Sequence, residues 1–126
     1  MWYTLIAILV IYLLITFGLR AWTRWSLNRN ATLLESEAFE QASHNGQIID
    51  LRDAADFKFK HVLGARNIPL QFLLQDNTAI RQDKPVYLVD QDNQGAEKMV
   101  RKLKKQGYQD IYVLKGGMAK YTGRTK

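Results

Sequence analysis

The sequence predicts an α/β domain with a mainly parallel sheet flanked by helices, preceded by one transmembrane helix. Two observations predict the domain. Short apolar runs alternate with helical stretches, and the run Pro85–Val89 is nearly all apolar, as a parallel strand covered on both faces should be. A third observation predicts the transmembrane helix, because Trp2–Leu19 contains no charged residue. The 126 residues allow one domain of ordinary size beside that helix.

The segment Trp2–Leu19 has the length of a membrane anchor. Its eighteen residues would span roughly 27 Å as a helix, close to the roughly 30 Å of a hydrocarbon core. A buried core helix is less favoured because the remaining chain is too small to surround it. A cleaved signal peptide is also less favoured, because it would need a basic start and a small-residue cleavage site. The N-terminal residues here include no basic side chain, and the stretch after Phe17 is bulky and basic. We expect an anchor at residues 1–27, then a linker and first strand at residues 28–34. Aromatic residues bracket the segment, as they do at membrane interfaces: Trp2, Tyr3, Trp22 and Trp25.

Three arginines predict the direction of the anchor. Arg20, Arg24 and Arg29 follow the apolar segment with no acidic residue among them. Under the positive-inside rule, they place the N-terminus outside and the domain in the cytoplasm, as a single-pass protein of the cell membrane. The three side chains are expected to contact anionic headgroups, while Trp2–Leu19 contacts the lipid interior.

Composition excludes several classes of function. The chain contains no cysteine, which excludes disulfides, thiolate metal sites and cysteine nucleophiles. The formal net charge is +6, but the three arginines beside the anchor supply half of it. Because no nucleic-acid-binding motif accompanies the charge, we expect no nucleic-acid partner.

Residues 35–126 are predicted to form the domain. Ser36 is a candidate N-cap for a helix to about His44, and Asp53 for a short helix near residues 54–58. The other predicted elements are strands at Gln47–Leu51, Asn67–Pro69, Pro85–Val89 and Ile111–Leu114, and helices at Leu70–Gln75 and Gly95–Gln106. The last helix carries a basic face that suits solvent, anionic lipid or an acidic partner, formed by Lys98, Arg101, Lys102, Lys104 and Lys105.

Three motifs carry a resemblance to a known family. Ile48–Arg52 reads Ile-Ile-Asp-Leu-Arg, His61–Leu70 reads His-Val-Leu-Gly-Ala-Arg-Asn-Ile-Pro-Leu, and Leu114–Met118 reads Leu-Lys-Gly-Gly-Met. In order and spacing these motifs resemble those of single-domain rhodaneses, over roughly residues 31–121. The resemblance implies a rhodanese-like parallel sheet flanked by helices. It also implies structural roles for Asp50, Arg52, His61, Gly64, Pro69, Gly116 and Gly117.

The resemblance also locates the active-site position. In rhodaneses the strand equivalent to Val86–Val89 ends in a nucleophilic cysteine, and the loop that follows forms an anion site from backbone N–H groups. Here that position is Asp90, which cannot hold a transferable sulfur, so no catalytic residue, cofactor or metal site is expected. We hypothesise that the Asp90 carboxylate fills the anion site itself. The corresponding binding loop is Asp90, Gln91, Asp92, Asn93, Gln94, Gly95 and Ala96.

These features predict a membrane-anchored, catalytically degenerate rhodanese-like domain, an interaction or regulatory module with a protein partner at the cytoplasmic membrane face. One alternative is a small-ligand or cation sensor at the loop, although Arg101 stands where a calcium loop needs glutamate. A second alternative is residual enzyme activity, either sulfurtransferase-like or as an aspartate-based phosphatase. Asp90-x-Asp92 resembles the nucleophile motif of haloacid-dehalogenase-like phosphatases, but their further acidic and lysine motifs are not found.

Overall fold

The structure, a computed structural model, describes residues 1–91 and 93–126, except for the side chains of Arg24, Ser26, Leu27 and Asn28. The helices are α1 (Trp2–Asn30), α2 (Ser36–Ala42), α3 (Ala54–Phe59), α4 (Leu70–Gln75) and α5 (Gln94–Lys105). The strands are β1 (Thr32–Leu34), β2 (Gln47–Asp50), β3 (Arg66–Asn67), β4 (Val86–Val89) and β5 (Ile111–Leu114). Short 3-10 turns lie at Ser43–Asn45 and Met118–Lys120.

The five strands form one parallel sheet in the order β1-β5-β4-β2-β3. Because all strands point the same way, their carboxyl ends form one edge of the sheet, here called the carboxyl edge, and their amino ends form the amino edge. The predicted α/β class with a parallel sheet is confirmed.

Two hydrophobic cores cover the two faces of the sheet. The central strand β4 contributes Val86 and Leu88 to one core and Tyr87 and Val89 to the other, because side chains alternate along a strand. All four residues are buried, which explains why this strand is apolar throughout. The first core is covered by α4 and α5, and the apolar stripe of α5 is fully buried: Ala96, Met99, Val100 and Leu103.

Helix α1 is longer than the sequence predicts. It continues to Asn30, so the expected helix end near Leu27 and the expected linker from Asn28 to Asn30 are wrong. The physical reason is tertiary packing, because the last turns of α1 contact α5 and β1, and Ala31 packs against the first core. A single residue therefore joins α1 to β1.

The apolar part of α1 is exposed and does not enter either hydrophobic core. Trp2–Thr23 is long and apolar enough to cross a membrane by length and composition, and its apolar window is not buried. The alternative of a buried core helix does not agree with this exposure.

Of the two predicted helix caps, one lies at a different residue and the other, among the residues described, lacks the capping hydrogen bond. The N-cap residue of α2 is Glu35, and Ser36 is the first helical residue. The Ser36 hydroxyl instead accepts a hydrogen bond from the backbone N–H of Thr122 at 2.7 Å, which ties the C-terminal segment to α2. Asp53 does precede α3 as the N-cap residue, but its side chain makes no capping hydrogen bond within the described chain.

Candidate functional site

The candidate site lies where β4 ends and α5 begins. Asp90 follows β4 directly, and its side chain is buried, with Asp90 only 9% exposed. The backbone N–H of Ala96, in the first turn of α5, donates a hydrogen bond of 3.0 Å to Asp90 Oδ2. The carboxylate therefore turns back onto its own loop and the amino end of α5, where the backbone amides carry partial positive charge. This is the contact expected of a carboxylate that occupies an anion site.

Gly95 permits the close approach of this carboxylate. A Cβ atom added at Gly95 would lie 2.7 Å from Asp90 Oδ2 and 2.9 Å from Leu70 Cδ2. Both distances are shorter than real Cβ contacts, so a larger residue would displace the carboxylate or Leu70. The sequence places Gly95 in the loop but does not reveal this constraint, which arises from Asp90, five positions earlier and directly after β4, and from Leu70, the first residue of α4.

The Gly116-Gly117 element supports the loop from the neighbouring strand. Both residues have positive φ angles, 77° at Gly116 and 70° at Gly117. A Cβ added at Gly117 would lie 2.5 Å from the carbonyl oxygen of Asp90. The backbone N–H of Met118 donates a 2.8 Å hydrogen bond to the same oxygen. The element that follows β5 therefore packs directly on the backbone of the loop.

Asn93 joins the loop to the same element. Its φ angle is +73°, in the left-handed region that asparagine tolerates better than most residues. Its Nδ2 donates to the carbonyl oxygen of Leu114 at 2.9 Å, and its Oδ1 accepts from the N–H of Gly116 at 2.8 Å. The sequence identifies Asn93 as a loop residue, but this bridging role depends on strand order and is not visible in the motif.

Asp50 and Arg52 form a buried ion pair at the end of β2. Arg52 Nε lies 3.1 Å from Asp50 Oδ1, and Arg52 Nη2 lies 2.9 Å from Asp50 Oδ2. Asp50 is fully buried and Arg52 is 9% exposed. Arg52 Nη2 also donates to the carbonyl oxygen of Lys60 at 2.6 Å, so the pair fixes the segment that follows α3.

The segment around β3 is held by hydrogen bonds to the backbone at the end of β2. The Asn67 side chain donates to the carbonyl oxygens of Asp50 at 3.2 Å and Arg52 at 2.9 Å. Pro69 precedes α4, and its carbonyl oxygen accepts from the N–H of Leu73 at 3.3 Å. Pro69 thus sets the exit from β3 into the helix that contacts Gly95.

His61 and Gly64 lie in a turn that pairs with the C-terminal residues. His61 Nδ1 is 2.7 Å from the carbonyl oxygen of Phe57, and the two rings stack with centroids 3.8 Å apart. The backbone of His61 also exchanges hydrogen bonds with Lys126. Gly64 has a φ angle of +89°, in the left-handed region that glycine adopts without steric cost. These contacts give His61 a structural role in ordering the turn.

The described residues thus bring most of the predicted site residues to the carboxyl edge. Gly95, Ala96 and Gly117 contact Asp90, and Asn93 binds Gly116 beside them. Asp50, Arg52 and Pro69 hold the adjoining segments. Asp92, the predicted second acid of the loop, lies outside the described residues. Within residues 1–91 and 93–126 the structure has no cluster of three or more His, Asp or Glu side chains suited to a metal ion.

The architecture and motifs agree with one protein family. A model of the rhodanese-like domain matches residues 35–124. The chain belongs to the rhodanese-like domain family. The sequence-based recognition is therefore confirmed, with aspartate at the position where rhodanese chemistry needs cysteine.

Comparison with individual proteins supports the same membership. The uncharacterized protein YqhL of Bacillus subtilis is 43% identical over 93 residues, which cover 74% of this chain and 74% of YqhL. Thiosulfate sulfurtransferase GlpE of Pseudomonas aeruginosa is 29% identical over 82 residues, or 64% of this chain and 74% of GlpE. The solution structure of the rhodanese-like domain of the Anabaena protein Alr3790 has the same fold, with a TM-score of 0.65 at 20% identity over 75% of this chain and 77% of that domain.

Proposed function

We propose that this protein is a membrane-anchored rhodanese-like module without sulfurtransferase activity, which acts through protein interaction or regulation at the cytoplasmic face. The observation that carries the proposal is the Asp90 carboxylate, which stands at the nucleophile position and accepts a hydrogen bond from Ala96. A carboxylate cannot carry a sulfane sulfur, and the chain has no cysteine that could do so instead.

The surroundings of Asp90 favour a stable internal contact over reaction with a donor. The buried carboxylate already uses an amide that an incoming anion would need, and it repels thiosulfate by its charge. No lysine or arginine lies between Asp90 and Ala96 in the sequence to offset that repulsion.

A thiosulfate:cyanide sulfurtransferase assay tests the loss of activity. We expect the purified full chain to show no turnover above the uncatalysed background, with Pseudomonas aeruginosa GlpE as the positive control. Turnover that rises in proportion to the chain's concentration and disappears in Asp90→Ala would contradict the proposal.

Anchoring is supported by α1 and its flanking charges. The Trp2–Thr23 stretch has the length and composition of a membrane span, and the side chains of Arg20, near its C-terminal end, and Arg29, after it, are exposed. The Arg24 side chain lies outside the described residues. Because the chain lacks cysteine, single-cysteine variants can report the direction. Lys84→Cys should resist a membrane-impermeant maleimide in intact cells and react after lysis, whereas Trp2→Cys should react in intact cells.

A partner search completes the test of the interaction role. The full chain and a matched control consisting of α1 alone would be crosslinked and purified from native membranes. We expect at least one protein to copurify with the full chain and not with α1 alone. If the two samples retain the same proteins, the domain is not an interaction module under those conditions of growth.

A further inference from the structure

We propose that the carboxyl edge of the sheet, which carries the Asp90 loop, rests on the anionic phospholipid surface of the same bilayer that α1 enters. Phe59, with Lys58 and Lys60 beside it, would be the interfacial contact. This inference rests on the proposed membrane anchoring and adds to it a fixed orientation of the domain.

Helices α1 and α5 lie side by side and point the same way relative to the sheet. Helix α5 begins at the carboxyl edge, after β4, and ends at the amino edge, before β5. Helix α1 also ends at the amino edge, where one residue joins it to β1. Arg29 and Lys104 line one cleft there, and the Arg101 guanidinium lies 5.2 Å from the centre of the Trp22 ring. Both helices therefore lead from this cleft towards the carboxyl edge.

Helix α1 extends much farther from this cleft than α5 does. From Arg101 to Gln94, where α5 begins, is about 10 Å along the helix axis, whereas α1 continues about 30 Å from Trp22 to Trp2. The apolar part of α1 must therefore extend past the beginning of α5 and leave the domain on the side of the Asp90 loop. A bilayer that surrounds this part of α1 has its headgroups at the level of the carboxyl edge, because Leu19 lies only about 5 Å beyond Trp22.

The carboxyl edge exposes an aromatic ring between two basic side chains. Phe59 is 88% exposed, and Lys58 and Lys60 on either side of it are exposed as well. The hydrogen bond from Arg52 to the carbonyl oxygen of Lys60 fixes this segment beside the end of β2. An aromatic ring between two lysines suits the boundary between acyl chains and anionic headgroups.

Other charged residues of both signs lie at this edge, and their effects on binding to an anionic bilayer partly cancel. Lys98 is exposed in the first turns of α5 and adds positive charge, while Asp53 and Asp56 are exposed at the start of α3. Each basic residue close to an anionic bilayer strengthens association by about fivefold. The apolar contact of Phe59 and the tether through α1 are therefore expected to act together with the lysines.

Fluorescence quenching from labelled lipid tests the orientation. The full chain would be reconstituted in vesicles of phosphatidylglycerol and phosphatidylcholine that contain a nitroxide on the lipid headgroup. A fluorophore would be attached at Ala55→Cys, one helical turn before Phe59 on the same side of α3, or at Lys84→Cys near the amino edge as the matched control. Ala55 and Lys84 are both exposed, so neither variant disturbs a core.

We expect strong quenching at position 55 and little at position 84. Quenching at position 55 should decrease in vesicles of phosphatidylcholine alone, and should decrease further when Phe59→Ser and Lys58→Gln are added. Equal quenching at both positions, or none at position 55, would overturn the orientation. Shielding of the label at position 55 in detergent together with dimer formation would also overturn it, since a second copy would then cover the edge.

Flotation of the same vesicles separates this inference from the proposed function. If the chain floats with the vesicles while position 55 stays unquenched, only the orientation is wrong. If the chain does not float, the proposed anchoring is wrong and the orientation is overturned with it.

Discussion

Gly95 and Asp90 fit against each other so closely that a Cβ atom on Gly95 would lie 2.7 Å from the Asp90 carboxylate. The next residue, Ala96, donates its N–H to the same carboxylate oxygen at 3.0 Å. The loop is therefore built around a carboxylate, rather than around a space left by the loss of a cysteine. This relationship makes the contribution of the loop to stability measurable.

Asp90→Ala is expected to lower the free energy of unfolding by about 1–2 kcal/mol, because the Ala96 N–H loses its acceptor in the first turn of α5. Asp90→Asn keeps an acceptor oxygen of similar size and should cost less. Thermal unfolding of the full chain in detergent, followed by circular dichroism, measures both. If Asp90→Ala unfolds at the wild-type temperature, the carboxylate contributes nothing to the loop.

Gly95→Ala is expected to destabilise the protein, although alanine is favoured over glycine by about 1 kcal/mol inside helices. The added Cβ would clash with the Asp90 carboxylate and with Leu70. In an Asp90→Ala background the cost should fall but not vanish, because the contact with Leu70 at 2.9 Å remains. A double-mutant cycle measures this coupling. Additive effects of the two substitutions would contradict the contact.

Arg52→Met is expected to cost about 3–5 kcal/mol, because it leaves the fully buried Asp50 carboxylate without its counter-charge. Arg81→Met is the matched control, since it breaks an Arg–Asp pair that is more than half exposed and should cost less than about 1 kcal/mol. Denaturant unfolding of both variants gives the comparison. Similar losses in the free energy of unfolding for the two variants would show that the buried Asp50–Arg52 pair stabilises the fold no more than an exposed pair does.

The parts of the fold that follow from local pattern are predictable from the sequence. An apolar run predicts β4 because both of its faces are buried, and the apolar stripe predicts α5 because helical spacing places those residues on one side. The motif residues Gly64 and Gly116 have positive φ angles, which glycine adopts without steric cost. In each case the cause lies within a few residues of the effect.

The parts that depend on distant contacts are not predictable in the same way. Helix α1 continues to Asn30 because it packs on α5, about seventy residues away. The bridge from Asn93 to Leu114 and Gly116 depends on β4 and β5 being neighbours in the sheet. Ser36 binds Thr122 instead of capping α2, which requires the position of the C-terminal segment.

Asp90→Cys is expected to give a thiol with a pKa below the usual value of about 8.5, because the Ala96 N–H and the amino end of α5 stabilise a thiolate. Sulfur transfer from thiosulfate should nevertheless be weak at most, since residues 90–96 include no lysine or arginine to bind the donor. The pH dependence of thiol alkylation measures the first effect, with Ala55→Cys as an exposed control, and the thiosulfate:cyanide assay measures the second. Efficient turnover would show that the loop can still bind thiosulfate as the sulfur donor.

Acid sensitivity is expected at the contact between α2 and the C-terminal segment. The backbone N–H of Arg124 and the hydroxyl of Tyr121 both donate to Glu40 Oε2. The hydrogen bond from Arg124 is the main cause that lowers the pKa of Glu40 below its usual 4.5. Burial, followed by the Glu40 charge, raises the pKa of Tyr121 to about 12, so the tyrosine remains a donor throughout the acidic range.

The sign of the effect follows from the lowered pKa of Glu40. Folding favours the ionised carboxylate, so its contribution is fully present above pH 4.5 and is lost as the pH falls through the lower folded-state pKa. Glu40→Gln should therefore be less stable than wild type at neutral pH, and the difference should shrink below pH 4.5. Melting temperatures of both proteins from pH 7 to about pH 3 test this, with Glu37→Gln as a control for removing one acid from α2. A difference between wild type and Glu40→Gln that stays constant with pH would show that the carboxylate charge does not hold the C-terminal segment.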